Sequence, residues 1–153
     1  MPYIRSAARA LIIEDNKLLA IKMKQSERTF YILPGGGQNH GETLTKALER
    51  ECLEELGVEI LIDKLVYTRE YIGKNHEFDD QHKEFHQIEH VFVCSIKNSN
   101  FIGKGFDTDK RQIGFEWIPI KEIAHYNLLP KYIKPFIQKN TLVFPNIYLG
   151  DIN

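Results

Sequence analysis

Residues Gly36–Val58 read GGQNHGETLTKALERECLEELGV, a glycine-led segment running into a helical pattern. The helix is expected over Thr43 to Leu56, with Gly57 placed as its C-terminal cap. On a helix turning about 100° per residue, with Glu51 set at zero, Leu44 falls at about +20°, Ala47 at about -40° and Leu48 at about +60°. Glu55 and Glu54 fall at about +40° and about -60° by the same arithmetic. Glu51, Glu54 and Glu55 therefore continue the apolar stripe, where a surface helix would place its charges on the opposite face.

Three carboxylates within about 100° of arc repel one another, and partial burial adds a desolvation cost. Proton uptake or a bound cation would relieve both. Hard oxygen ligands suit Mg²⁺ or Mn²⁺, and Mg²⁺ commonly combines a few carboxylates with waters and substrate phosphates. The default meaning of such a charge run is a solvated helix face. Two neighbours weigh against that default. Arg50, one turn before Glu54, can hold that carboxylate in a fixed rotamer. The preceding Pro34-Gly35-Gly36-Gly37 reads as a turn that lets backbone approach a ligand closely, so strand, glycine loop and helix form a cradle.

Gly36, five residues, Glu42, seven residues, then Arg50-Glu51-Cys52-Leu53-Glu54-Glu55-Leu56-Gly57-Val58 resembles the Nudix box of the Nudix hydrolases. Every fixed Gly, Glu and Arg of that pattern is present, and Cys52 stands where the family has an aliphatic residue. The hairpin before the box and the Glu116-Trp117-Ile118-Pro119 run after it are also similar to MutT-like members. The resemblance implies a Nudix-type α/β/α sandwich and a Mg²⁺- or Mn²⁺-dependent pyrophosphohydrolase. Its substrate would be a small nucleotide or a nucleoside-diphosphate-linked compound. Carried over by position, Glu51, Glu54 and Glu55 would bind metal with the Gly35 carbonyl as a further ligand. Arg50 would orient the acids, and Glu42 would support the loop. The implied chemistry is attack of a metal-activated water on phosphorus. MutT-like members often carry a glutamate five or six residues before the tryptophan, but Gln112 and Arg111 occupy those positions here. Asp107, Asp109, Glu116 and Glu89 then remain as candidates for the general base, beside a base on the helix itself. A non-catalytic Nudix-like nucleotide-binding or sensor domain is the alternative, favoured only by loss of box acids.

Outward from the box, Arg5–Ile13 and Lys17–Met23 read as a β-hairpin around Glu14-Asp15-Asn16, and Thr29–Leu33 as a short strand ending at Pro34. Val58–Tyr71, Ile88–Ile96 and Gly114–Ile120 read as strands, and Lys121–Tyr126 and Lys131–Lys139 as helices about the Leu129-Pro130 break. This interleaving predicts a mixed β-sheet between helices. With 153 residues and no internal repeat or linker, the expectation is a single domain over 1–153. The apolar runs are too short for a membrane helix, and 20 Lys and Arg against 21 Asp and Glu disfavour duplex nucleic acid as a partner. Cys52 and Cys94 lie in apolar-patterned segments and no signal-peptide pattern precedes them, which predicts reduced, buried thiols and a cytoplasmic protein.

His76, His82, His86 and His90 share one polar segment, but the strand pattern from Ile88 argues against a common helix face and hence against a second metal site. Gly73–Gln87 reads instead as a long loop near the site mouth, with Phe78, Phe85 and Phe92 as candidate aromatic platforms. The apolar residues Leu142–Leu149 would pack on the domain or on a partner, and oligomeric state is left open.

Overall fold

The computed structural model describes residues 2–77, 82–97 and 111–153. Strands β1 (Ile4–Glu14) and β2 (Lys17–Gln25) form the expected hairpin. Its two-residue loop, Asp15 and Asn16, takes positive φ at both positions, a conformation these side chains tolerate and hairpin twist favours. Strand β3 (Arg28–Ile32) pairs antiparallel with β2, and β4 (Gly35–Gly37) pairs antiparallel with β1 opposite Ala7, Ala8 and Arg9. Helix α1 (Leu44–Leu56) follows, then β5 (Ile60–Ile72), β6 (His86–Ile96), β7 (Gln112–Pro119), α2 (Lys134–Gln138) and β8 (Tyr148–Asp151).

The strand order is β3-β2-β1-β6-β5-β8, with β4 pairing β1 and β7 pairing β2 off that path. Strands β1 and β6 are parallel, as are β5 and β8, while β5 and β6 run antiparallel, so the sheet is mixed. Side chains alternate between its faces. On β1 and β2, Ala8, Ala10, Ile12, Leu19 and Ile21 pack with Leu48, Cys52 and Leu56 of α1. Leu11, Leu18 and Ala20 point the other way, into a second core with Ile118, Ile123, Ile133 and Ile137. Both faces of the sheet are covered, which is the sandwich expected from the interleaved pattern. Both thiols are free and buried. Among the described residues no helix is long and apolar enough to cross a membrane.

Three local expectations change. The glycine run is not simply a turn: it pairs with β1, because residues without side chains fit against the small Ala7 and Ala8. The two helices after β7 shrink to a 3-10 segment over Ile120–His125, a 3-10 turn over Lys131–Ile133 and five-residue α2. Pro130 and Pro135 deprive this region of backbone donors. The segment after 140 does more than pack its apolar residues: Leu142, Phe144 and Leu149 cover the second core, and Tyr148–Asp151 adds strand β8.

Candidate active site

Helix α1 begins at an N-cap, where Thr43 Oγ1 accepts from Lys46 N–H, and ends at Gly57 in the left-handed conformation. Between those caps its inward stripe changes character. Ala47, Leu48, Cys52 and Leu56 enter the core, and Glu51, Glu54 and Glu55 line a cavity of about 640 Å³ together with Gly35 and Gly36. Glu55 is only 7% exposed, and its Oε1 accepts from Gly35 N–H at 2.8 Å.

The glycine strand permits this close approach. Gly35 has φ 135°, and a Cβ there would lie 2.1 Å from the Ala8 carbonyl oxygen. At Gly36 a Cβ would lie 2.5 Å from the carboxyl carbon of Glu51. The bare α-carbon of Gly35 lets β4 lie against the backbone of β1, and that of Gly36 lets the helix bring the Glu51 carboxylate against β4.

Arg50 ties the arrangement together. Nη1 donates to Glu51 Oε1 at 3.0 Å and Glu54 Oε2 at 3.3 Å, so the i,i+4 pair read from the sequence is one part of a larger cluster. Nη2 donates to Glu42 Oε1 at 2.6 Å and to the Gly37 carbonyl at 2.8 Å, while Nε reaches Glu42 Oε2 at 3.2 Å. This two-point hold and the Asn39 N–H lower the Glu42 pKa, and the bond to Glu42 in turn raises that of Arg50.

A second polar network forms the floor. Arg9 Nε donates to Glu89 Oε2 at 2.9 Å and Arg69 Nε to Glu89 Oε1 at 2.7 Å. Gln87 Nε2 donates to Glu89 at 2.8 Å and its carbonyl accepts from Arg5. Arg9 Nη1 also donates to the Gly35 carbonyl at 2.9 Å, coupling the floor to the glycine strand. Burial alone would push the Glu89 carboxyl up, but the charges of Arg69 and Arg9 overcome it and hold the group at about 2.

That environment bears on the candidate bases. Glu89 reaches the cavity, yet a carboxylate shared by two guanidinium groups is a weak proton acceptor. Glu116 on β7 is engaged by the Tyr31 hydroxyl at 3.4 Å and by the Tyr126 side chain. Asp107, Asp109 and Phe78 lie outside the described residues. Phe85 lines the cavity, while Phe92 and Trp117 pack against the core. The histidines have separate partners: His76 with Asp151, His82 with Tyr71, His86 with Glu70 and His90 with Thr68.

Sequence reasoning missed Arg5, Arg9, Arg69 and Gln87. A signal was present, since opposite charges inside otherwise β-rich segments are costly unless paired, and Arg69 and Glu89 are direct cross-strand neighbours. Finding that register from one sequence requires knowing which strands adjoin.

Among the described residues, no three carboxylate, imidazole or thiol side chains are gathered closely enough to cage an ion unaided. The donor chemistry nevertheless fits a hard divalent cation: carboxylates from one helix face border the same cavity as Gly35 and Gly36, whose lack of side chains leaves them room. A cage is not required of Mg²⁺, which keeps several waters and shares ligands with phosphate.

A family model described as NUDIX domain matches residues 4–139. The nucleoside triphosphatase NudI of Escherichia coli is 28% identical over 125 residues, covering 77% of this chain and 84% of the relative. A NUDIX hydrolase structure from Nitrosomonas europaea superposes with a TM-score of 0.70 at 17% identity, covering 94% of this chain and 93% of the other. The MutT protein from Methanosarcina mazei Go1 gives 0.66 at 20% identity, over 90% of this chain and 93% of that one. These two structural likenesses establish the fold.

Proposed function

From the premise that this chain belongs to the NUDIX domain family and hydrolyses phosphoric anhydride bonds, we propose that it is a divalent-metal-dependent pyrophosphohydrolase of nucleoside triphosphates or related nucleotides. The observation that carries this reading is the placement of Glu51, Glu54 and Glu55 on one cavity wall beside Gly35 and Gly36. The similarity to a nucleoside triphosphatase favours the triphosphate class. Buried, unpaired-by-disulfide thiols at Cys52 and Cys94 agree with a reducing, cytoplasmic setting.

Glu51, Glu54, Glu55 and the Gly35 carbonyl would hold Mg²⁺ or Mn²⁺. When bound, such an ion neutralises phosphate charge and lowers the pKa of water. The chain's own contribution is positioning. Arg50 bridges Glu51 and Glu54 and restrains both side chains, while its grip on Glu42 and Gly37 fixes it to the loop before α1. Gly35 N–H anchors Glu55. Arg5 donates to the neutral carboxamide of Gln87, leaving its positive charge to meet substrate oxyanions in the same cavity.

The test is product release from a panel of nucleoside triphosphates, dinucleoside polyphosphates and diphosphate sugars, each with Mg²⁺ and with EDTA. Metal-dependent cleavage of a phosphoanhydride supports the proposal. Nucleotide binding without cleavage of any of them would favour the sensor reading.

Gly36→Ala provides a separate check of the geometry. The added methyl would displace the Glu51 carboxylate, the end of a flexible side chain, so the fold should tolerate it better than the site. We expect kcat/KM to fall about 10- to 100-fold, the scale seen when the support of a metal ligand is disturbed. The thermal midpoint should stay near wild type; both are read from steady-state kinetics and a melting curve.

A further inference from the structure

The cavity extends well beyond the carboxylates, and its far end includes Asn153, which lies outside the span 4–139 matched by the family model. From β4 to β8 the sheet takes four inter-strand steps through β1, β6 and β5, roughly 19 Å at the usual strand spacing. At the β8 end the cavity is bordered by Arg69, Tyr71, His82, Phe85 and Asn153.

This end is firmly assembled. Ile147 carbonyl accepts from Thr68 N–H at 2.6 Å, and Ile152 N–H donates to the Glu70 carbonyl at 3.2 Å. Asp151 accepts from Ile72 N–H and Asn75 Nδ2, both at 2.9 Å, and pairs with His76 Nε2 at 2.6 Å. The Tyr148 hydroxyl donates to Glu70. Those contacts fix the backbone that carries Asn153 to the cavity. Its carboxamide is oriented as well: Oδ1 accepts from Arg69 Nη1 at 3.3 Å and Nδ2 donates to Glu77 Oε1 at 3.1 Å. A carboxamide has two N–H donors and two acceptor lone pairs, and these bonds use one of each.

Next to this amide stands an aromatic wall. Tyr71 is nearly buried, with His76 stacked at 5.2 Å and the Arg69 guanidinium 5.5 Å from its ring centre. Phe85, 6.1 Å from Tyr71 and 36% exposed, offers the more accessible ring. A flat heterocycle gains stacking from such a surface without sequence or base preference, whereas a fixed amide distinguishes donor from acceptor on the heterocycle's edge.

We propose that Asn153 is a specificity-determining residue, reading the edge of a nucleobase that packs on the Phe85 wall while the phosphates face the carboxylates of α1. This rests on the nucleotide reading above and extends it by naming where the base is selected. The selecting amide belongs to residue 153, beyond the 4–139 span that the family model matches.

The experiment compares wild type, Asn153→Ala and Asn153→Asp. Hydrolysis of ATP, GTP, CTP and UTP is measured beside a base-free ribose 5-triphosphate, and binding of the four nucleoside monophosphates is measured by calorimetry in EDTA. For Asn153→Ala we expect KM for the preferred nucleotide to rise about 3- to 10-fold, the loss of roughly one hydrogen bond, with kcat within about twofold. KM for the base-free substrate should not change. Asn153→Asp, which replaces the donor by an acceptor, should alter the rank order of bases in both assays. Unchanged base preference in both variants would overturn the proposal, as would an equal loss on the base-free substrate, which is what a merely structural Asn153 predicts. A wild type that binds all four monophosphates equally would overturn it too. If wild type binds with a preference that Asn153→Ala erases but cleaves nothing, the base contact stands and the hydrolytic reading fails.

Discussion

Glu55→Gln is expected to lower Mg²⁺-dependent hydrolysis by about 100-fold or more while leaving the fold intact. Disturbing only the support of a metal ligand typically costs about 10- to 100-fold, so neutralising a ligand itself should reach or exceed that range. The substitution separates charge from structure. Glu55 Oε1 accepts from Gly35 N–H, and the carbonyl oxygen of glutamine can accept the same bond. What disappears is the negative charge beside Glu51 and Glu54. A circular-dichroism melt near wild type together with the lost turnover is the expected pair of results; near-normal turnover would remove Glu55 from the proposed ligand set.

The second large effect is on stability. Glu89→Ala leaves Arg9 and Arg69 facing each other in a buried floor, with their shared carboxylate gone. Removing one partner from a buried ion pair typically costs about 3–5 kcal/mol, because the remaining charge stays desolvated. For a protein of this size that corresponds to a drop in Tm of roughly 6–20 °C. Replacing Arg9, Glu89 and Arg69 together by apolar residues should recover part of the loss, since no charge is then stranded.

The same carboxylate gives an acid dependence with a defined sign. The native Glu89 pKa is depressed from 4.5 to about 2, so the folded state holds its proton less tightly than the unfolded state. The stabilisation is present above pH 4.5 and declines as pH falls towards 2. Urea denaturation at several pH values should therefore show a steeper acid loss for wild type than for Glu89→Gln across that window. Parallel curves would mean that Glu89 titrates alike in both states.

The parts of the fold readable from the sequence are those whose signals are local. Thr43, the Leu44–Leu48 stripe and Gly57 announced α1 within one short segment, and the interruption of that stripe by glutamates marked the cavity wall. The hairpin was equally local, because Asp15-Asn16 sits between two apolar runs. The pairing of Gly35–Gly37 with Ala7–Arg9 was not, since residues lacking side chains carry no alternation to read. Strand β8 was hidden for another reason: four residues with Gly150 among them have little β pattern, and their pairing with β5 is settled by tertiary contacts such as Asp151 with Ile72 and His76. Arg69 and Glu89 were visible as charges, but only the β5–β6 register makes them neighbours.

In the proposed function α1 turns three glutamates towards the glycine strand to hold a divalent cation. The most direct measurement is a Mn²⁺ titration followed by electron paramagnetic resonance, in wild type and in a Glu51→Gln/Glu54→Gln/Glu55→Gln variant confirmed as folded by its melting curve. Wild type should remove the free-Mn²⁺ signal with saturable stoichiometry, and the triple variant should leave it unchanged. Equal Mn²⁺ uptake by both proteins would contradict that role for the glutamates.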